Sequence, residues 1–211
     1  MCTESCFRDV SWVPEETLKQ RSRDGVPFGG EATYGWMNSL LRVDLGSGDV
    51  KKEVVDRSIL EKFLGGRGLA ARVLYHELES GVDPLSPENK LIFAAGPVTG
   101  TAVPTSGRMS VSTKSPLTKT ILDANAGGSW GPELKAAGYD ALIIEGAAEK
   151  PCLLVIEEDA VDLKDGKSYW GEKVHEATHS LAGYGGGKFR VACVGPAGEK
   201  LVLISSIMFD K

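Results

Sequence analysis

Residues 96–131, GPVTGTAVPTSGRMSVSTKSPLTKTILDANAGGSWG, gather the groups in this chain best suited to holding a ligand. Arg108 brings a planar guanidinium with five donors, and Asn125 an amide that both donates and accepts. Serines and threonines add short hydrogen-bonding arms, prolines fix turns, and glycines let backbone approach a ligand closely. Arg108 and Asn125 stand at the ends of expected strands, a placement that a plain linker does not need. Residue physics alone leaves three alternatives open: a surface ion pair for Arg108, a left-handed turn for Asn125, and simple chain reversal for the glycines.

A second constellation is HEATH, His175 to His179. Two imidazoles one helical turn apart can hold zinc, Glu176 can activate a bound water, and Glu199 downstream is a candidate third ligand. Helix phase argues against a zinc peptidase. Trp170, Val174, Ala177 and Leu181 define the apolar side, which puts His175 and His179 on the charged side with Glu172 and Glu176. A solvated helix face is the favoured reading, and zinc the remote one.

The four cysteines show no disulfide-framework density. Cys2 and Cys6 have metal-ligand potential only if other ligands join them, and no second pair follows at ligand spacing. Cys152 and Cys193 sit in apolar strand-like runs and are expected to pack as small hydrophobes.

The elements that must position these groups are legible in outline. Residues 40–45 and 50–55 flank a Gly-Ser-Gly-Asp turn and predict a β-hairpin. Asp56 or Ser58 caps a short helix ending at Gly65 and Gly66, Arg67 falls at a turn, and a second helix spans about 68–78. Strands are expected over 91–95, 109–113, 141–145, 153–157, 160–163, 189–194 and 201–207, with a helix beginning near Trp130. Two of these strands close with Gly-Pro, at Gly96-Pro97 and Gly195-Pro196, a faint sign of duplication. Strands and helices do not alternate, so the class is α+β and not a doubly wound nucleotide fold.

At 211 residues the chain can bury a real core, and its formal charge of -5 offers no basic field for nucleic acid. No apolar run is long enough to span a membrane and no secretion signal opens the chain, so a cytoplasmic location is expected. Residues 1–33 read as a polar extension with one short helix near 15–21, and residues 34–211 as the domain.

Five phrases in unbroken order carry a family resemblance: LRVDLGSGDV at 41–50, LGGRGLA at 64–70, VDPLSPENKLIFAAGPVTGT at 82–101, PELKAAGYDALIIEGAAEKP at 132–151 and GPAGEKLVLISSIM at 195–208. The chain resembles the N-terminal domain of the tungsten-containing aldehyde ferredoxin oxidoreductase family. The resemblance implies two mixed β-sheets about a pseudo-twofold axis, forming a base for a bis-pterin (molybdopterin-type) cofactor of tungsten or molybdenum whose phosphates are bridged by magnesium. Carried over residue by residue, it makes Arg108 a pterin contact, and Asn125 and Gly127 contacts to pterin and phosphate bridge, with Asn125 offering an oxygen to magnesium. Glycine turns, Asn and Arg are the inventory that flat rings and phosphates require. Gly127 and Gly128 would allow close approach, and the helix near Trp130 would aim N–H groups at phosphate.

The resemblance also implies aldehyde oxidation to a carboxylic acid, ferredoxin as electron acceptor, partnership with the remaining catalytic domains and a possible homodimer. The [4Fe-4S] ligands and substrate-handling groups of that family fall in later domains, so this chain is expected to bind no cluster. Its second pterin contact falls beyond Lys211, so the isolated chain is expected to carry half a cradle and not to turn over. The competing reading is a non-catalytic pterin-binding or assembly module.

Overall fold

The structure, a computed structural model, describes residues 35–157 and 160–210. The expected polar extension, the helix expected near 15–21, Cys2 and Cys6 lie outside the described residues. The expected hairpin forms from β1 (Ser39–Asp44) and β2 (Val50–Val54), with Leu41 opposite Lys52. The Asp44 carboxylate accepts from the Gly46 and Ser47 amides at 2.7 and 3.2 Å and closes the turn. Asp56 caps α1 (Arg57–Phe63) by accepting from the Ser58 amide at 2.7 Å, and α2 (Gly66–Glu77) follows at once. Their junction needs Gly65: its φ is +132°, and a Cβ there would lie 2.5 Å from the Ala95 carbonyl oxygen. Without a side chain at that point, α2 starts directly against the sheet at Gly66, two residues before the expected start near 68, and Arg67 falls in its first turn and not between helices.

Six strands form one mixed sheet in the order β2-β1-β6-β3-β4-β5, with β3 at Leu91–Ala95, β4 at Met109–Lys114, β5 at Ile121–Ala126 and β6 at Ala141–Glu145. β1 and β6 are parallel and the other neighbours antiparallel. α3 (Trp130–Ala136) joins β5 to β6. Two short ribbons complete the fold: β7 (Cys152–Glu157) with β8 (Ala160–Asp165), and β9 (Ala192–Cys193) with β10 (Met208–Phe209). α4 (Val174–Ala182) precedes β9, and α5 (Pro196–Glu199) follows it.

Alternation along the strands divides the core between the two faces of the large sheet. Leu40, Ile92, Ala94 and Ile143 pack against Leu60 of α1 and Leu69, Val73 and Leu74 of α2. Leu41, Val43, Phe93, Met109, Val111 and Leu142 pack on the other face against Leu134 of α3, with Leu154, Ile156, Leu163 and Phe209 of the ribbons alongside. Each fully buried aliphatic side chain contributes about 1.5–3 kcal/mol, so both layers matter to the sheet.

A buried ion pair ties the start of the described chain to this core. Lys135 Nζ lies 2.8 Å from Asp140 Oδ1 and donates to the Gly35 carbonyl at 2.6 Å, while Asp140 Oδ2 accepts from the Met37 amide at 2.9 Å. A separate network engages Arg42 with Glu53, Glu77 and Glu145, and Lys90 with Glu77 and Glu145.

The class is α+β with several sheets and few helices, as expected. Its strands divide six, two and two, and among the described residues no second sheet matches the first in size. The expected strand at 201–207 is absent: Leu201 and Ile204 are 66% and 76% exposed, and pairing begins only at Met208. The strand expected at 189–194 shortens to Ala192–Cys193. An apolar run without a partner strand has nothing to close its backbone hydrogen bonds. The two Gly-Pro turns therefore follow unlike elements, one after β3 of the large sheet and one after β9 of a ribbon.

Candidate functional site

The β4–β5 register sets Ser110 opposite Asn125 and Ser112 opposite Asp123. Ala94 lies opposite Ser110 and Ile92 opposite Ser112, which identifies the shared face as the one covered by α1 and α2. Arg108 immediately precedes β4, and Gly127 immediately follows β5. The three residues singled out in the sequence thus meet at one end of a single strand pair.

All three are exposed. Asn125 sits inside β5 with no positive φ, so it is not a turn residue. Neither the Arg108 guanidinium nor the Asn125 side-chain amide has a protein partner among the described residues. The Arg108 backbone, by contrast, is held firmly. Thr99, 4% exposed, accepts from the Gly96 amide and donates to the Arg108 carbonyl, both at 2.9 Å. Ser106 Oγ donates to the Thr101 carbonyl at 2.9 Å within the same loop.

The glycines separate into structural and open positions. A Cβ on Gly107 would lie 2.5 Å from the Gly128 carbonyl oxygen, so the two arms of the site approach too closely for any side chain there. A Cβ on Gly127 would meet nothing within 4 Å. Trp130, whose ring lies 5.1 Å from Phe93 and 5.8 Å from Phe209, pins the following residues to the core. The helix it opens is short, seven residues, and carries Glu133 in its first turn.

Four residues of the site escaped the sequence reading. Ser112 Oγ donates to Asp123 Oδ1 at 2.9 Å, and Arg67 Nε donates to Asp123 Oδ2 at 2.7 Å, which brings Arg67 from the first turn of α2 to the strand that carries Asn125. At the far side, Asp210 accepts from the Val191 amide through Oδ1 at 3.1 Å. Its Oδ2 is buried with no partner among the described residues and lies 3.6 Å from where a Cβ on Gly128 would be. The signal for β5 was present as alternation, Ile121-Asp123-Asn125 against Leu122-Ala124-Ala126. Asp and Asn are poor strand formers and masked it.

The HEATH helix is α4. Its His175, Glu176 and His179 are exposed while Ala177, Thr178 and Leu181 are buried. Trp170 does not share the apolar side: it precedes the helix and is 56% exposed. Glu199 Oε1 accepts from the Gly171 amide at 2.9 Å, and among the described residues no three metal-ligating side chains gather. Cys193 is half-buried, with its sulfur 3.5 Å from Thr178 Oγ1. Cys152 is exposed at the first position of β7, where the ribbon edge leaves it uncovered, and so does not pack as expected.

Residues 40–211 match the family model described as "Aldehyde ferredoxin oxidoreductase, N-terminal domain". The chain belongs to the aldehyde ferredoxin oxidoreductase family. It is 49% identical over 178 residues to the tungsten-containing aldehyde ferredoxin oxidoreductase of Pyrococcus furiosus, covering 84% of this chain and 29% of that protein. The protein of the same description from Thermococcus kodakarensis is 46% identical with the same coverage. Among solved structures, the active-site complex BamBC of benzoyl coenzyme A reductase with 1,5-dienoyl-CoA superposes with a TM-score of 0.81 at 37% identity, over 83% of this chain and 27% of that one. The chain thus spans less than a third of the length of these relatives. No helix among the described residues is long and apolar enough to cross a membrane.

Proposed function

We propose that this chain seats a tungsten-pterin cofactor for an enzyme that oxidises aldehydes to carboxylic acids with ferredoxin as electron acceptor. One observation carries the reading: Arg108, Asn125 and Gly127 meet at one end of β4–β5, with both polar side chains lacking a protein partner among the described residues. The relatives described as tungsten-containing support the choice of metal, with molybdenum as the chemical substitute.

The donor set fits a flat, phosphorylated ligand. Arg108 would give paired N–H donors to ring or phosphate oxygens. Asn125 would supply an oxygen to the magnesium between phosphates, a hard ion that takes oxygen ligands and waters. Gly127 would let the ligand reach the backbone, because no side chain or neighbouring atom fills that space. Asp210 Oδ2, buried with no partner among the described residues, would be free to accept a hydrogen bond from the seated ligand.

When bound, the cofactor takes up the two electrons released as an aldehyde and water become a carboxylic acid. The residues here bind and orient. Cluster ligands, substrate-handling groups, the ferredoxin contact and any homodimer interface belong in this reading to the remaining catalytic domains, so the isolated chain is inactive and the complete enzyme is the functional unit.

Coexpression with those domains, followed by elemental analysis and pterin fluorescence, tests the proposal. Tungsten or molybdenum should co-purify with pterin, and Arg108→Ala and Asn125→Ala should each lower both. Full occupancy in both variants would overturn the assignment.

A further inference from the structure

We propose that Arg67 is a further ligand-contacting residue of this site: aimed by Asp123, its guanidinium takes a phosphate oxygen of the seated cofactor. The inference rests on the cofactor reading above. The fold treats two of its arginines very differently. Arg42 is fully engaged: Nε meets Glu53, Nη1 meets Glu77 and Glu145, and Nη2 meets Glu77. Arg67 makes one bond, from Nε to Asp123 at 2.7 Å, and among the described residues its two Nη groups have no partner. Those two groups form the flat edge of the guanidinium, the edge that matches an oxyanion bidentately.

The anchor is more built than a surface ion pair requires. The Asp123 side chain is 11% exposed on an edge strand, although carboxylates are disfavoured in strands. Both of its oxygens are fixed, one by Arg67 and one by Ser112, which is itself 1% exposed. A carboxylate held at both oxygens sets the direction of the guanidinium it holds. An exposed ion pair left to itself contributes little to stability, so stability alone does not account for this arrangement around an arginine whose side chain is 69% exposed.

Placement gives the device its object. Asp123 stands two residues before Asn125 on the same face of β5, one side-chain repeat or about 6.8 Å along the strand. Arg108 stands at the end of the neighbouring strand. Two guanidiniums therefore flank the Asn125 position, and Asp123 offsets only one of them. A dianionic phosphate is the chemistry that such a pair recognises. Asp123 and Ser112 act as positioning residues, and Arg67 makes the contact.

The test uses the enzyme assembled from this chain and its remaining domains. Pterin content is read by fluorescence after oxidation, and its rate of loss is followed with inorganic pyrophosphate as competitor. Arg67→Gln should speed loss about 10- to 100-fold, the weight of one charge-assisted contact. Arg67→Lys should fall between, since it keeps the charge and loses the fork, and it decides the matter if the glutamine variant folds poorly. Asp123→Asn should also speed loss. If Arg67→Gln and Arg67→Lys retain pterin as the wild type does while Arg108→Ala loses it, the Arg67 assignment falls and the cofactor reading stands. If the wild-type enzyme carries no pterin, or none of these variants changes its retention, both fall.

Discussion

Lys135 Nζ and Asp140 Oδ1 form a buried ion pair 2.8 Å apart, with side-chain exposures of 6% and 1%. The pair spans only five residues, but its spare valences reach back to Gly35 and Met37, where the described chain begins. Removing one partner strands the other charge in the core, which costs about 3–5 kcal/mol. Asp140→Ala and Lys135→Met should each show that loss in urea unfolding. The double variant Lys135→Met/Asp140→Leu should recover much of it, because an apolar pair of similar volume needs no solvation. A single-variant loss below about 1 kcal/mol would show that water reaches the site.

The Arg42 network should make stability acid-sensitive. Burial pushes the Glu77 carboxyl up, but the Arg42 hydrogen bond and the charges of Arg42 and Lys90 outweigh it and hold Glu77 below the usual carboxylate range. A carboxylate with a lowered folded value contributes in full above its unfolded value, about pH 4.3, and loses that contribution as pH falls through the folded one. Glu77→Gln should therefore flatten the stability profile below about pH 4.3 while lowering the neutral plateau. Urea midpoints across that range measure both effects, and an unchanged acid slope would show that the network does not tune stability.

The sequence foretold this sheet where local chemistry and long-range pairing agree. The first hairpin has apolar alternation, an aspartate turn and an immediate partner, and it stands where expected. Residues 201–207 are as apolar as a strand, yet whether such a run pairs depends on an edge that local pattern does not reveal. β5 was legible only in part: Asn125 stands where a strand end is expected, yet Asp123 and its neighbours do not mark the strand's extent until Ser112 and Ser110 are seen across from Asp123 and Asn125. For the same reason Arg108 and Asn125 were legible as candidates from their types, whereas Arg67 was not. Its relation to the site is a contact across 56 residues that no local spacing encodes.

Thr99 should matter to the site without touching a ligand. Its hydroxyl accepts from Gly96 and donates to the Arg108 carbonyl, so it joins the two ends of the loop between β3 and β4. Thr99→Val keeps the shape and leaves the Gly96 amide without its acceptor, a cost of about 1–3 kcal/mol. Thermal unfolding should report that loss, and Thr99→Ser should restore it. Pterin content of the assembled enzyme should fall with valine and return with serine if the hydroxyl fixes where Arg108 begins. Equal pterin content in the two variants would confine Thr99 to stability.

Gly107 and Gly127 offer the sharpest separation of folding from binding. A Cβ at Gly107 would press on the Gly128 carbonyl at 2.5 Å, and backbone cannot yield as a side-chain tip does. Gly107→Ala should therefore lower the melting temperature by several degrees, since about 1–3 kcal/mol of overpacking strain has no route of relief. Gly127→Ala meets no atom within 4 Å and no positive φ, so the chain should fold with unchanged stability. If the open space beside Gly127 is where a ligand meets the backbone, that one methyl should still cut pterin content in the assembled enzyme. A Gly127→Ala enzyme that is both stable and fully loaded would place the ligand elsewhere.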